Sequence, residues 1–454
     1  MANKNVELMR GEPEIAVRKL AIPIMISMIL TASYNIIDGV WVAGLGQAAI
    51  AGIGFVTPIF MILNGFSVGL GNGATSSISR AVGARNHELA SKSAAHSILI
   101  FLVASIVLTV ILLLIQEPLL KAYGASGQSL VEAINYSVPL FLGLFAFMFA
   151  NGASGILRGE GDMKRAMYAT IVSVILNAIL DPLLIYVLGL GVMGAALATI
   201  LSSVLSASVI LYWILVKKDT YAQIELKNFS IDGKIMKDIL KVGIPSSFEM
   251  VVIYVAMSIH LIIIAIVGGD FGVASFTSGH KFYSLAILPF TAIGSAVIAV
   301  VGSSYGAKNG DYISRAHLYG VKFGVVFGLI FTLILVVFSN QLAVICAYTP
   351  ETQQLIPGIA LYLQVACLCL PFTGAGITSS FFYQGIGKGV ISLFFSILKE
   401  LIFIVPFIYI LGVVMNLGLL GVWIGMAGGR SLACILNFIF ARLTIRKIRK
   451  EIGN

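Results

Sequence analysis

Charge is scarce in this chain: Asp, Glu, Lys and Arg make up 11% of 454 residues, where a soluble domain carries about a quarter. A chain that is also 59% hydrophobic, with a mean hydropathy of +1.00, cannot cover its apolar surface in water. A soluble enzyme and a disordered chain are both excluded. Proline is sparse at 12 residues against 47 glycines, a composition of uninterrupted helices with many small packing positions. The four cysteines, Cys346, Cys367, Cys369 and Cys434, form no disulfide framework and no zinc spacing with histidine. No His-Glu-x-x-His, Gly-x-Ser-x-Gly or Gly-rich phosphate loop is present, so neither catalysis nor ATP hydrolysis is expected, and no cofactor.

What remains is apolar sequence in long runs. A bilayer core of about 30 Å needs about 20 apolar residues per helix. Reading the runs between charges, Gly and Pro gives twelve candidate spans, near 19–43, 50–79, 92–116, 134–157, 163–188, 191–216, 238–267, 275–304, 318–339, 355–382, 389–412 and 415–442. The expected class is an all-α integral membrane protein. The first apolar run is too long for a signal-peptide core and is read as a retained span.

The distribution of Lys and Arg sets the orientation, because basic residues accumulate in cytoplasmic loops. With the N-terminus inside, all of the 29 basic residues except Lys121, Lys281, Lys399 and Arg430 fall in cytoplasmic segments. Both termini are then cytoplasmic. The net charge of +9 is a topology signal, and no nucleic-acid partner is expected.

The two halves resemble each other at an offset that drifts from 222 to 227 residues. Lys19-Leu-Ala-Ile-Pro23 matches Lys241-Val-Gly-Ile-Pro245, Gly83-Ala-Arg-Asn86 matches Gly306-Ala-Lys-Asn309, and Tyr136 matches Tyr362. Further along, Gly159-x-Gly161 matches Gly385-x-Gly387, Pro182 matches Pro406, and Gly191-x-x-Gly194 matches Gly418-x-x-Gly421. Six spans per repeat is an even number, so both halves enter the membrane in the same direction and the repeat is parallel. The expected organisation is an N-lobe over 1–217, a cytoplasmic linker over 218–236 and a C-lobe over 237–454.

Ionisable groups at bilayer depth cost several kcal/mol unless paired or hydrated, so each is a functional candidate. The first lobe has two, Asp38 and Asp181, with no basic residue at depth. At 1.5 Å per residue Asp38 lies about 28 Å above Lys19, and Asp181 about 24 Å above Arg165. Tyr136, Asn177 and Thr199 reach a similar level, and Asn177 shares a helix face with Asp181 at i, i+4. Two carboxylates without a fixed counter-charge suit a mobile cation, either a proton or, with Asn177 and Thr199 as further oxygen ligands, a small metal ion such as Na⁺. The second lobe carries Glu249, His260, His280, Lys281, Lys399, Glu400 and Arg430 in apolar runs; structural ion pairing is expected among Glu249, Lys281, Lys399, Glu400 and Arg430, Glu400 with Arg430 foremost. Pro23 and Pro245 each remove an intrahelical hydrogen bond near the start of a repeat, and Pro23 is the candidate hinge.

Taken together these residues resemble the multidrug and toxic compound extrusion (MATE) family over nearly the whole chain. The resemblance rests on the six-plus-six repeat, Pro23 with Asp38, the paired Gly83–Asn86 and Gly306–Asn309 loops, Leu157-Arg-Gly-Glu-Gly-Asp162, Asn177-x-x-x-Asp181-Pro182 and Gly191-Val-Met-Gly194-Ala-Ala. It implies a V-shaped pair of six-helix bundles and a cation-driven antiporter, coupled to H⁺ or Na⁺, that exports organic, often cationic, amphiphiles by alternating access. It further implies a multi-pass protein of the plasma membrane whose partners are small organic substrates and the lipid bilayer, working as a monomer. By position, Asp38, Tyr136, Asn177, Asp181 and Thr199 fall where the DinF-like branch keeps its first-lobe cation network. The NorM-like second-lobe acids have no counterpart, since Glu249 is only four residues past Pro245 and the tenth span has no acid. The alternative is a lipid or lipid-linked oligosaccharide flippase of the same superfamily. Such proteins usually add two spans and line their cavity with arginines, and neither feature is seen here.

Overall fold

The structure, a computed structural model, describes residues 2–224 and 229–452. Part of the 218–236 segment, including Lys227, lies outside the described residues.

Nearly the whole chain is helical. A short helix Ala2–Arg10 precedes span 1, Pro13–Ala43; spans 2 and 3 are Gln47–Gly83 and His87–Ala122. Span 4 is a pair, Gly127–Leu142 and Leu144–Gly159, bent by 53°. Spans 5 and 6 are Met163–Val187 and Gly191–Val216. Spans 7 and 8 form one run, Gly233–Gly306, broken at Gly269, whose φ of 54° and ψ of −151° lie outside the helical region. Spans 9 to 12 are Gly310–Val337, Gln353–Gly385, Gly389–Val414 and Gly418–Ile452. Twelve spans are thus seen among the described residues. Several run past their apolar cores because capping residues set the starts: the side chains of Asn86, Asp162 and Asn309 accept from the backbone N–H of Leu89, Arg165 and Tyr312 at 2.8, 3.2 and 3.0 Å.

The backbone repeats with the sequence. Arg85 and Lys308, at equivalent places in the paired loops, adopt φ of 57° and 54°. Gly161 and Gly387 adopt 80° and 78°, and Gly191 and Gly418 adopt 55° and 63°. The segments after the equivalent prolines, Leu183–Val187 and Ile410–Val414, are both π-helical. Gly194 meets the backbone of Leu184 and Gly421 that of Leu411, the same contact at a shift of 227 residues.

The chain folds as two compact units, one made of Met1–Arg10 and Ile22–Ser247, the other of Gly11–Ala21 and Phe248–Asn454. This differs from the division at 217 and 237 read from the sequence. The N-terminal start of span 7 packs on span 2 inside the first unit: a Cβ on Gly73 would come within 2.5 Å of the Ile239 carbonyl, and one on Gly69 within 2.4 Å of Ser247. Asp238 then accepts two hydrogen bonds from Arg80, at 3.0 and 2.8 Å, and one from Ser77 at 2.9 Å. Within the second unit, Arg315 of span 9 holds both Glu12 and Glu14 at the start of span 1. In each case polar contacts outweigh chain connectivity. The chain passes from one unit to the other beside Pro23 and beside Pro245. Pro23 itself sits inside an unbroken helix.

Candidate functional site: an acidic pair in the first unit

The C-terminal end of span 1 is fixed on span 5. The Tyr186 hydroxyl donates to the Trp41 carbonyl, the two rings meet edge to face at 6.2 Å, and Val42, Ile185 and Ala195 bury together with Trp41, Leu45, Ile53 and Tyr136 around them. One turn deeper, this packing brings Asp38 of span 1 to Asp181 of span 5.

Asp181 is fully buried and Asn177 nearly so. Asn177 Nδ2 donates to Asp181 Oδ1 at 3.3 Å, while no N–H or O–H among the described residues reaches Oδ2. The group within hydrogen-bonding reach of Asp181 is the carboxyl of Asp38. Two carboxylates are acceptors only, so a hydrogen bond between them requires a proton that one of them carries. Tyr136 neighbours both acids. Thr199 hydrogen-bonds the Ala195 carbonyl at 3.2 Å through its hydroxyl and also meets the hydroxyl of Tyr34. The five residues singled out in the sequence therefore share one locus. Tyr34 joins them and was missed, although it lies one helical turn before Asp38 on the same face. No Lys or Arg takes part in an ion pair with either acid among the described residues.

A separate polar clasp lies at the loop ends of spans 4 and 5. Below span 4, the buried Glu160 carboxylate accepts the backbone N–H groups of Tyr221 and Ala222 at 2.9 and 2.8 Å. Burial pushes its pKa up to about 8 despite those bonds. Arg165 forms a two-point pair with Asp219 at 2.8 and 2.6 Å. Burial would raise the Asp219 pKa, but Arg165 and Lys217 hold it below the usual carboxylate range.

The second unit arranges its charges differently. Lys399 Nζ lies 3.0 Å from Glu400 Oε1 and Arg430 Nη2 3.8 Å from Oε2. Arg430 also donates to the Tyr283 hydroxyl and lies 5.0 Å over that ring. Glu249 accepts from Gln384 Nε2 at 3.3 Å and feels the charge of Lys399. Lys281 is not part of this group: it is exposed and makes no ion pair among the described residues. It lies on span 8, but a place along a helix does not say which face a residue occupies. No cluster of three or more His, Cys, Asp or Glu side chains able to hold a metal occurs among the described residues.

A buried acidic pair in a helical bundle, with the second bundle repeating the first, defines a polytopic transporter of the parallel-repeat type. The MatE family profile matches residues 23–183 and again 245–410, so the chain belongs to the MATE family and is a multi-pass membrane transporter, not an enzyme. A probable multidrug resistance protein, YoeA of Bacillus subtilis, is 25% identical over 442 residues, covering 94% of this chain and 93% of its own. The multidrug export protein MepA of Staphylococcus aureus is also 25% identical, over 94% of this chain and 93% of its own. The solved outward-facing structure of a multidrug resistance MATE transporter of the MOP superfamily is 38% identical, covers 98% of this chain and 99% of its own, and superposes with a TM-score of 0.95.

Proposed function

We propose that this protein is a cation-coupled antiporter that exports organic, often cationic, amphiphiles across the plasma membrane, with both termini in the cytoplasm and the monomer as the working unit. The observation that carries the reading is the contact of Asp38 with Asp181, two acceptors facing each other at bilayer depth with no fixed positive charge beside them. A mobile cation supplies what the pair lacks. The carboxyl-to-carboxyl contact favours a proton; for Na⁺, Asp38, Asp181, Asn177 and Thr199 supply the oxygen ligands.

In the cycle, a cation entering from outside neutralises the two carboxyls and removes the cost of holding charge at that depth. Span 1 then repacks about Pro23, where the chain passes between units, and the drug leaves outward. Inward return releases the cation. A potential of about 100 mV contributes roughly 2.3 kcal/mol per charge moved, about 50-fold in concentration, which is enough for useful export. The names of YoeA and MepA support multidrug export as the direction and substrate class.

The test is transport of a fluorescent cationic dye in proteoliposomes, driven by an imposed pH gradient or, separately, a Na⁺ gradient. Dye movement against its own gradient with one of the two supports the reading and identifies the ion. Dye movement that needs neither gradient contradicts it.

A further inference from the structure

The shift of 222 residues that carries Lys19 to Lys241 and Pro23 to Pro245 carries Asp38 to His260. The second unit therefore has a titratable side chain of its own at the position of the first unit's acid. His260 is 3% exposed and its Nε2 has no hydrogen-bond partner among the described residues. Its ring hydrogen-bonds the backbone at Glu400 and feels the charges of Glu400 and Arg430. Glu400 lies on span 11, the repeat of the span that carries Asp181, inside the π-helical segment Leu398–Ile404. Both units thus pair a titratable group on their first span with an acid on their fifth.

A neutral imidazole has one N–H and one bare nitrogen, and leaving a buried polar atom unsatisfied costs about 1–3 kcal/mol. A proton on the bare nitrogen gives an imidazolium beside a carboxylate. The obstacle is the existing cations. Lys399 holds Glu400 Oε1 closely, but Arg430 reaches Oε2 only at 3.8 Å, and Arg430 has a second anchor in Tyr283. Span 8 contributes His280, whose Nδ1 meets the Tyr362 hydroxyl of span 10 at 3.2 Å.

We propose that His260 is a proton-binding residue of the second unit, and that its imidazolium competes with Arg430 for the Glu400 carboxylate. The proton comes from solvent and binds the imidazole lone pair; Arg430 withdraws onto Tyr283, and the ladder of Lys399, Glu400 and Arg430 changes partners without breaking a covalent bond. This does not rest on the Asp38–Asp181 reading.

The experiment is nitrogen NMR of the full-length protein in nanodiscs with ¹⁵N-histidine, the His260 signals being those lost in His260→Gln. A protonation step in these signals is expected as the pH is lowered from about 8 to about 3. Arg430→Gln removes the competing cation and shifts the step by about one pH unit toward alkaline pH, whereas Glu400→Gln shifts it the opposite way. Asp38→Asn leaves it in place. Either glutamine variant decides the point if the other does not fold. His260 signals that stay neutral from about pH 3 to 9, or a step that neither variant moves, overturn the proposal.

Discussion

Gly194 of span 6 lies so close to Leu184 of span 5 that a Cβ would come within 2.7 Å of the Leu184 backbone carbonyl. The distance leaves no room for any side chain, because the obstacle is backbone and cannot rotate away. This contact sets the register of the two spans and with it the level of Thr199 against Asp181, which lies just before Leu184. Gly194→Ala is expected to lower the melting temperature of the detergent-purified protein and to cut transport at least tenfold, an overpacking cost of about 1–3 kcal/mol. Gly39→Ala, where nothing lies within 4 Å, should leave both unchanged.

Tyr34 shows what a residue at the edge of the acidic pair contributes. Its hydroxyl meets Thr199, and removing it takes away one polar partner of the network without touching either carboxyl. Tyr34→Phe is expected to weaken apparent cation affinity by up to about tenfold, the worth of one hydrogen bond of about 1 kcal/mol or slightly more. The maximal rate at saturating gradient should survive. The dependence of dye transport on external cation concentration measures both.

The Glu160 clasp gives a pH dependence with a definite sign. Because burial raises its folded pKa to about 8, the folded protein binds a proton there that the unfolded chain, near pH 4.5, has lost. Stability from this group is therefore greatest below the unfolded value and declines as pH rises toward about 8. Glu160→Gln cannot ionise and should flatten that decline in melting temperature between pH 5 and 9. Asp219 works the other way: held below its ordinary range by Arg165 and Lys217, it stabilises above its unfolded value and loses that contribution as pH falls through the lowered one.

How much of this was legible beforehand depends on the range of the interaction. Spans and repeat were readable because they rest on local patterns, the apolar runs and the Gly and Asn of the paired loops, and the matched φ values of Arg85 and Lys308 are the backbone expression of Gly83–Asn86 and Gly306–Asn309. The gathering of Asp38, Tyr136, Asn177, Asp181 and Thr199 followed from counting residues along helices of known rise. The exchanged starts of spans 1 and 7 were not readable, since Arg80 and Asp238 are 158 residues apart and nothing local links them. The same holds for Glu160 and the Tyr221 backbone. The helix Ala2–Arg10 lies in a hydrophilic stretch with both signs of charge, where no apolar run marks it. Lys281 was misplaced for the converse reason: an apolar neighbourhood in sequence says nothing about which face of span 8 it occupies.

The most direct test of the central claim is transport by Asp38→Asn, reconstituted at matched protein level and shown by its melting curve to be folded. Asparagine keeps the shape of the side chain but cannot accept the coupling cation's charge, so gradient-driven dye transport should fall to the level of empty liposomes. Gradient-driven transport at the wild-type rate by folded Asp38→Asn would contradict the assignment of the cation to the Asp38–Asp181 pair.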